Sequence, residues 1–413
     1  MATEFQSTAS LLADLEDASF DRPPAIVSNA HYTGLAVSRA LEALDVPVVA
    51  LDRTGDGVAP PSTAVDYAGR ITYPLEDADG FESDLEAVVD AVGSEVVAFP
   101  CMDEWVHAYA GADVDGVRRP FSGPAGIERV LDKESLYAVA EALGVPYPET
   151  YRLRETDPEE AADALGFPLV VKPARKREGE EALGTNVIEV EDEEAFAEIV
   201  AAAEDADVRI MAQERVNVAP GEDCSVGSYV PPSGVGDALS VVGNPRLRYP
   251  RAYGSSCAVE RVERPELEER AFDVLAETGY HGISEAEFVY DADRGEYVLL
   301  DVNTRPWKWI GMPVEAGANL PAAAYAAVTE AEYEPEPFRE ALWVALKEYV
   351  SALATDDSTP AVLDGTHWRA LASGSFERSD GGLTTAVYRP SDPGPTAKLL
   401  ETEFSGREYY CAC

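Results

Sequence analysis

Apolar and polar positions along this chain recur with two periods, and the order in which those periods alternate predicts the fold. After a polar leader over residues 1–22, PAIVSN reads as a buried strand. TGLAVSRALEAL places its apolar residues three and four apart, as an amphipathic helix does, and VPVVALD reads as a second strand. GRITYPL continues as a strand, a helix follows near DLEAVVDAV, and EVVAFPCMDEW is the next strand. Strand, helix, strand order predicts a parallel sheet with right-handed crossovers. Ligands of such sheets lie beyond the carboxyl ends of the strands. That places Asn29, His31, Tyr32 and Gly34 after the first strand, Asp52 after the second, and Cys101, Asp103 and Glu104 after a later one.

From residue 126 the pattern changes. A helix over GIERVLDKESLYAVAEAL leads through the turn GVPYPET to the strand FPLVVKPA, a charged loop RKREGEEALGTN, the strand NVIEV, a helix over DEEAFAEIVAAAE and the strand RIMAQERV. APGEDCSVGSYV, the basic stretch NPRLRYPRAYGSS and the helix RPELEERAFDVLAETG follow. The acidic, proline-bearing EAEYEPEPFRE marks a boundary near residue 331. Beyond it one helix, EALWVALKEYVSAL, and strands near HWRAL and TTAVYR are expected. The chain therefore divides into an α/β domain over 23–125, a second domain over 126–330 and an α+β extension over 331–413.

Composition narrows the function. With 413 residues, 46% of them hydrophobic, the chain can build two or three cores. It carries 77 acidic against 32 basic residues, a formal charge of −45, which repels nucleic acid and anionic membranes. The acids are spread over the whole length and only six basic residues are lysine, a distribution expected of a halophilic source with salt-dependent stability. The N-terminus lacks the basic and apolar regions of a signal peptide, and no apolar run approaches the roughly 18 residues of a membrane span, so a cytoplasmic protein is expected. Five cysteines without paired C-x-x-C spacing argue against a disulfide framework or zinc, and the terminal Cys411-Ala412-Cys413 reads as a frayed tail.

Candidate chemistry centres on ISEAEFVYDADRGEYVLLDVNTRPWK, residues 283–308. Asp-Ala-Asp-Arg-Gly is a turn joining two strands, so the start of the first lies opposite the end of the second. Asp301 and Asn303 share a face and can converge with Glu287 on one hard cation. Oxygen ligands with few carboxylates suit Mg²⁺ that also holds phosphates. Lys172 ends the apolar strand FPLVV, where an ammonium has no packing reason to be. A dinucleotide site after the first strand is disfavoured, because SNAHYTG has one glycine and cannot make the G-x-G-x-x-G approach.

Lys133, GVPYPET, the strand ending in Lys172, QERV, GED and E…D-x-N-x-R follow the order seen in the ATP-grasp superfamily. The chain resembles its carboxylate–amine ligases of the D-aspartate ligase type, over about residues 24–330 and most strongly from Leu131 to Lys308. The resemblance implies a Rossmann-like parallel-sheet domain, an ATP-grasp domain of two subdomains that clamp ATP, and a small C-terminal extension. By the same resemblance Lys133 and Lys172 contact phosphates, and Gln213, Glu214 and Val216 form the adenine hinge. Glu222 binds ribose, and Glu287, Asp301 and Asn303 hold one or two Mg²⁺, with Mn²⁺ as a substitute. Arg305 faces the transferred phosphoryl group. The implied reaction joins a small-molecule carboxylate to an amine through an acyl phosphate, and a homodimer is plausible by the same resemblance.

Asn29, His31, Asp103, Arg246, Arg248, Arg251 and Lys308 are candidates for substrate contacts, the arginines because a planar guanidinium suits carboxylates. Trp307 and Trp309 either wall the same pocket or belong to the core. Two features depart from the family pattern. The phosphate-covering loop is charged, Arg175 to Glu181, where small residues are usual, and Asp301 stands where Glu is commoner. A carboxylase or kinase of the same superfamily, or a nucleotide-binding regulator, are the alternative readings.

Overall fold

The computed structural model describes residues 4–250, 254–356, 358–378 and 382–404, with backbone alone for residues 177, 378 and 404. Arg251, Cys411 and Cys413 lie outside the described residues. Sixteen strands form three sheets among them. The first sheet is parallel, in the order β3-β2-β1-β4-β5, from β1 (Ala25–Ser28), β2 (Val48–Asp52), β3 (Tyr67–Arg70), β4 (Val96–Pro100) and β5 (Val117–Arg118). Every residue of β1, β2 and β4 is buried, as expected of strands covered on both faces. The third strand begins two residues before the run GRITYPL and ends at its second residue, and the polar leader contains a helix, Thr8–Glu16. Its Leu11 and Leu15 are fully buried, and Gly69 of β3 leaves the space that Leu11 fills; a Cβ there would come within 2.5 Å of Leu11 Cδ2.

The second sheet, β6-β9-β7-β8, consists of β6 (Thr150–Arg152), β7 (Leu169–Pro173), β8 (Ile188–Val190) and β9 (Ile210–Glu214), and encloses a small core of its own around Leu169, Val171, Phe196 and Ala212. The single helix expected over 126–143 is two, Pro124–Leu131 and Lys133–Leu143. Asp132 ends the first and caps the second by accepting from Ser135 N. The charged loop after β7 is instead the helix Lys176–Leu183, closed by Gly184 at φ +76°.

The third sheet has seven strands in the order β14-β13-β10-β11-β12-β15-β16: β10 (Cys224–Val230), β11 (Leu239–Tyr249), β12 (Ser255–Val262), β13 (Gly282–Asp291), β14 (Glu296–Asn303), β15 (Leu342–Val344) and β16 (Leu383–Thr385). Its last two strands come from beyond residue 331. EALWVALKEYVSAL was expected as one helix, but Leu342–Val344 is a strand between β12 and β16 and only Leu346–Thr355 is helical, because sheet pairing outweighs the helical pattern. HWRAL is not a strand. It lies in the helix Gly365–Ser373, which opens on a capping box between Asp364 and His367.

The same C-terminal segment is keyed into the first sheet by a buried ion pair. Arg39, on the helix Tyr32–Leu41, donates from Nε and Nη2 to Asp392 Oδ2 at 3.1 and 2.8 Å and from Nη2 to the Val387 carbonyl. Ser62 Oγ and Thr63 N donate to the same carboxylate at 2.6 and 3.1 Å. Among the described residues no helix is long and apolar enough to cross a membrane.

Candidate nucleotide and metal site

β13 and β14 pair antiparallel with Glu287 opposite Asp301 and Glu285 opposite Asn303, so four polar side chains meet at one end of the hairpin. Asn303 Nδ2 donates to Glu287 Oε1 at 2.9 Å and to Glu285 Oε2 at 3.2 Å. Glu285 was not singled out in the sequence, although the alternation in SEAEF puts it on the same face as Glu287. Burial, and then the like charge of Glu287, push its carboxyl far above the usual carboxylate range, against Arg305 and Arg248.

Two lysines face this group. Lys133 opens the helix Lys133–Leu143, tied to the end of β7 by its backbone N–H on the Ala174 carbonyl, and its Nζ sits 2.5 Å from Asp301 Oδ2. Burial pushes the Asp301 carboxyl up, but Lys133, with Lys176 and Lys172, holds it below the usual range. Lys172, fourth in β7, is buried. Burial and then Lys133 lower its ammonium from 10.5 to about 8, against Asp301 and Glu287. Arg305 is buried with Nε 2.7 Å from Asp103 Oδ1, and Asp103 outweighs burial to raise its pKa. Asp103 thus reaches the hairpin from the start of the helix Asp103–Gly111 in the first domain, and contacts Arg305 directly.

The hinge residues lie where β9 approaches the hairpin turn. Gln213 is buried with Nε2 on Thr150 Oγ1 at 2.8 Å. Glu214 accepts from Glu149 N at 2.6 Å and pairs with Arg294 of the turn. The Val216 carbonyl accepts from Val218 N, and Glu222 is exposed. Its neighbour Asp223, also not singled out in the sequence, is held by Arg248 Nε at 3.3 Å and has a buried Oδ1 with no partner.

Beside this hairpin end opens a cavity of about 260 Å³, lined by Arg248, Ser255, Glu285, Arg305, Trp307 and Lys308 among others. The two indoles rest over Gly227 and Gly243, where a Cβ would come within 2.3 Å of Trp307 Cζ2 and 2.7 Å of Trp309 Cη2. They wall the cavity and belong to the core at once. Arg246 does not reach it: half exposed, it pairs with Glu260 at 3.1 Å. Asn29 and His31 line a separate, small cavity of about 70 Å³ with Asp52, Arg53, Glu104 and Trp105. Asn29 has φ +60°, and burial raises Asp52 to about 6 against backbone donors from Thr54 and Ala30.

The oxygen set fits Mg²⁺. Among the described residues no three carboxylate, histidine or cysteine side chains are grouped so as to cage an ion. Two carboxylates and an amide suit a small cation that completes its shell with water and phosphate.

No family model matches the chain. It is 30% identical over 205 residues to the D-alanine–D-alanine ligase of Ectopseudomonas mendocina, which covers 46% of this chain and 60% of that one, less than two thirds of that relative's length. Over 291 residues it is 27% identical to D-alanine–D-alanine ligase B of Pseudomonas putida, covering 66% and 78%. N5-Carboxyaminoimidazole synthetase from Staphylococcus aureus, solved with ADP, superposes with a TM-score of 0.58 at 14% identity over 79% of this chain and 82% of its own. L-Amino acid ligase from Bacillus licheniformis does so at 0.56 and 14%, over 78% and 80%. The chain has the ATP-grasp fold. The ATP-grasp architecture was read from the sequence in outline, whereas the charged loop expected after β7 is the helix Lys176–Leu183.

Proposed function

We propose that this chain is an ATP-dependent ligase that joins a carboxylate to an amine and releases ADP and phosphate. The observation that supports it best is the convergence of Lys133, Lys172, Arg305 and the Glu287, Asp301 and Asn303 oxygens on one hairpin end, in a fold whose relatives by sequence include D-alanine–D-alanine ligases. Glu287, Asp301 and Asn303 would hold one or two Mg²⁺, which neutralise the β and γ phosphates when bound. With a cation held there, Asp301 would release Lys133, its partner in the free protein, to face phosphate. Lys172 supplies a second compact charge. Backbone groups of Glu214 and Val216 read the purine edge, and Glu222 reaches the ribose.

A carboxylate oxygen attacks the γ phosphorus, the bond to the ADP oxygen breaks with its electron pair, and an acyl phosphate forms. The amine then attacks the acyl carbon, phosphate leaves and the nitrogen loses a proton. Arg305, fixed by Asp103, faces the transferred group, where a cation stabilises spreading negative charge. The acid-rich composition supports a salt-rich cytoplasm as its setting.

The test is ADP release from Mg-ATP in molar KCl, with amino acids and polyamines scanned against pooled carboxylic acids and Lys172→Ala as the blank. Release that needs both an acid and an amine, with the amide seen by mass spectrometry, is expected. Release with bicarbonate alone, or none with any pair, overturns the reading.

The depressed Lys172 pKa gives a second expectation. Below pH 7 the ammonium is charged and Mg-ATP affinity is flat. Above about 8 the free protein loses that charge, so affinity falls about tenfold per pH unit. In Lys172→Arg the decline disappears up to pH 10, because guanidinium stays charged. Calorimetric titration across pH decides it, and a parent profile flat to pH 10 removes Lys172 from the phosphate site.

A further inference from the structure

We infer that Glu348, from the segment beyond residue 331, is a positioning residue for the substrate carboxylate, because it holds the Lys308 ammonium at the wall of the 260 Å³ cavity. The inference rests on the ligase reading above. Lys308 follows the metal hairpin, is 7% exposed and lines that cavity. Its Nζ donates to Ser255 Oγ at 2.9 Å, stands 3.5 Å from Glu348 Oε1 and lies 5.5 Å from the centre of the Tyr32 ring. Three other parts of the chain therefore meet on this ammonium: residue 32 of the first domain, residue 255 of β12, and residue 348.

Glu348 is an unusual acid for this chain. Its side chain is only 13% exposed, and Oε2 is buried with no hydrogen-bond partner. Half-satisfied buried carboxylates are costly, and a fold retains one where it serves a charge. Among the described residues the cation paired with this carboxylate is Lys308.

The placement follows from strand pairing. β15 joins β12 with Val344 opposite Ala258, and Ala345 N donates to the Cys257 carbonyl, so the helix Leu346–Thr355 starts beside Ser255 and turns Glu348 toward Lys308. His31 adds no competing charge. Burial, then Lys308 and Lys347, lower its pKa to about 3, leaving it neutral with Nδ1 accepting from Tyr32 N. On this wall Lys308, Ser255 and Arg248 present donors suited to a carboxylate, across from the phosphate-binding end.

Glu348→Gln keeps the shape and removes the charge, and Glu348→Asp keeps the charge on a shorter stem. With the acid and amine that support turnover in the parent, Glu348→Gln is expected to raise KM for the acid at least about tenfold, with kcat and Mg-ATP affinity within about twofold, and Glu348→Asp to recover part of the loss. Acetylation of Lys308 by acetic anhydride, read by mass spectrometry against Lys398, should rise severalfold in Glu348→Gln without any ligand. Unchanged Lys308 acetylation, or KM, kcat and nucleotide affinity worsening together with the unfolding midpoint, overturns the inference. A parent without acid- and amine-dependent turnover defeats the ligase reading instead, and the acetylation result still decides whether Glu348 holds Lys308.

Discussion

Asp301→Ala and Asn303→Ala, folded in molar KCl, lose Mg-dependent ADP release by about 10²–10³-fold, the usual consequence of removing a charge-stabilising group from a phosphoryl-transfer site. The two variants differ in how nucleotide binds. Asp301 carries the oxygen that engages Lys133 in the free protein, so its removal releases that lysine to bind phosphate while deleting a metal ligand. Asp301→Ala should therefore bind metal-free ATP at least as well as the parent and gain little from added Mg²⁺. Asn303 donates to both Glu285 and Glu287, and its loss leaves two carboxylates face to face without a shared donor. Asn303→Ala should bind nucleotide weakly with or without Mg²⁺. Calorimetry with and without the ion separates the cases, and variants that bind and turn over Mg-ATP like the parent would falsify the metal assignment.

Arg39→Ala should destabilise the folded chain by about 3–5 kcal/mol, since removing one partner of a buried pair strands the other charge. Asp392 would keep only Ser62 Oγ and Thr63 N as donors while remaining buried. Replacing both residues by apolar side chains of similar volume should restore most of the loss. Urea unfolding at fixed high salt measures both, and an Arg39→Ala variant within 1 kcal/mol of the parent would show that the pair is dispensable.

The hairpin was legible because its signals are local: a turn sequence, two β-rich runs and oxygen-bearing side chains spaced two apart. Lys172 was legible for a related reason, a cation ending an apolar strand. Elements that misled the sequence reading owe their conformation to distant partners. Leu342–Val344 is helical by pattern and a strand by virtue of β12 and β16. The helix Gly365–Ser373 did carry readable signals, Asp364 followed three residues later by His367 and the helix formers Arg369, Ala370 and Leu371. The segment after Lys172 reads as a loop by charge, yet Arg175 pairs with Glu128 and Glu178 and a helix forms behind it. Within the site, Glu285 was one alternation step away from notice. Glu348 carried no local signal, since its partner lies 40 residues upstream.

Arg39 and Asp392 stand 353 positions apart, and the edge of the central sheet waits on β15 and β16. During synthesis at roughly 5–20 residues per second, the helix bearing Arg39 emerges many seconds before the carboxylate that neutralises it. Until then the first domain has to carry an uncompensated guanidinium, and β12 an unpaired edge. The native arrangement is thus completed only when the late segment docks back on the early one, which makes the nascent chain, rather than the finished protein, the state most exposed to misassociation.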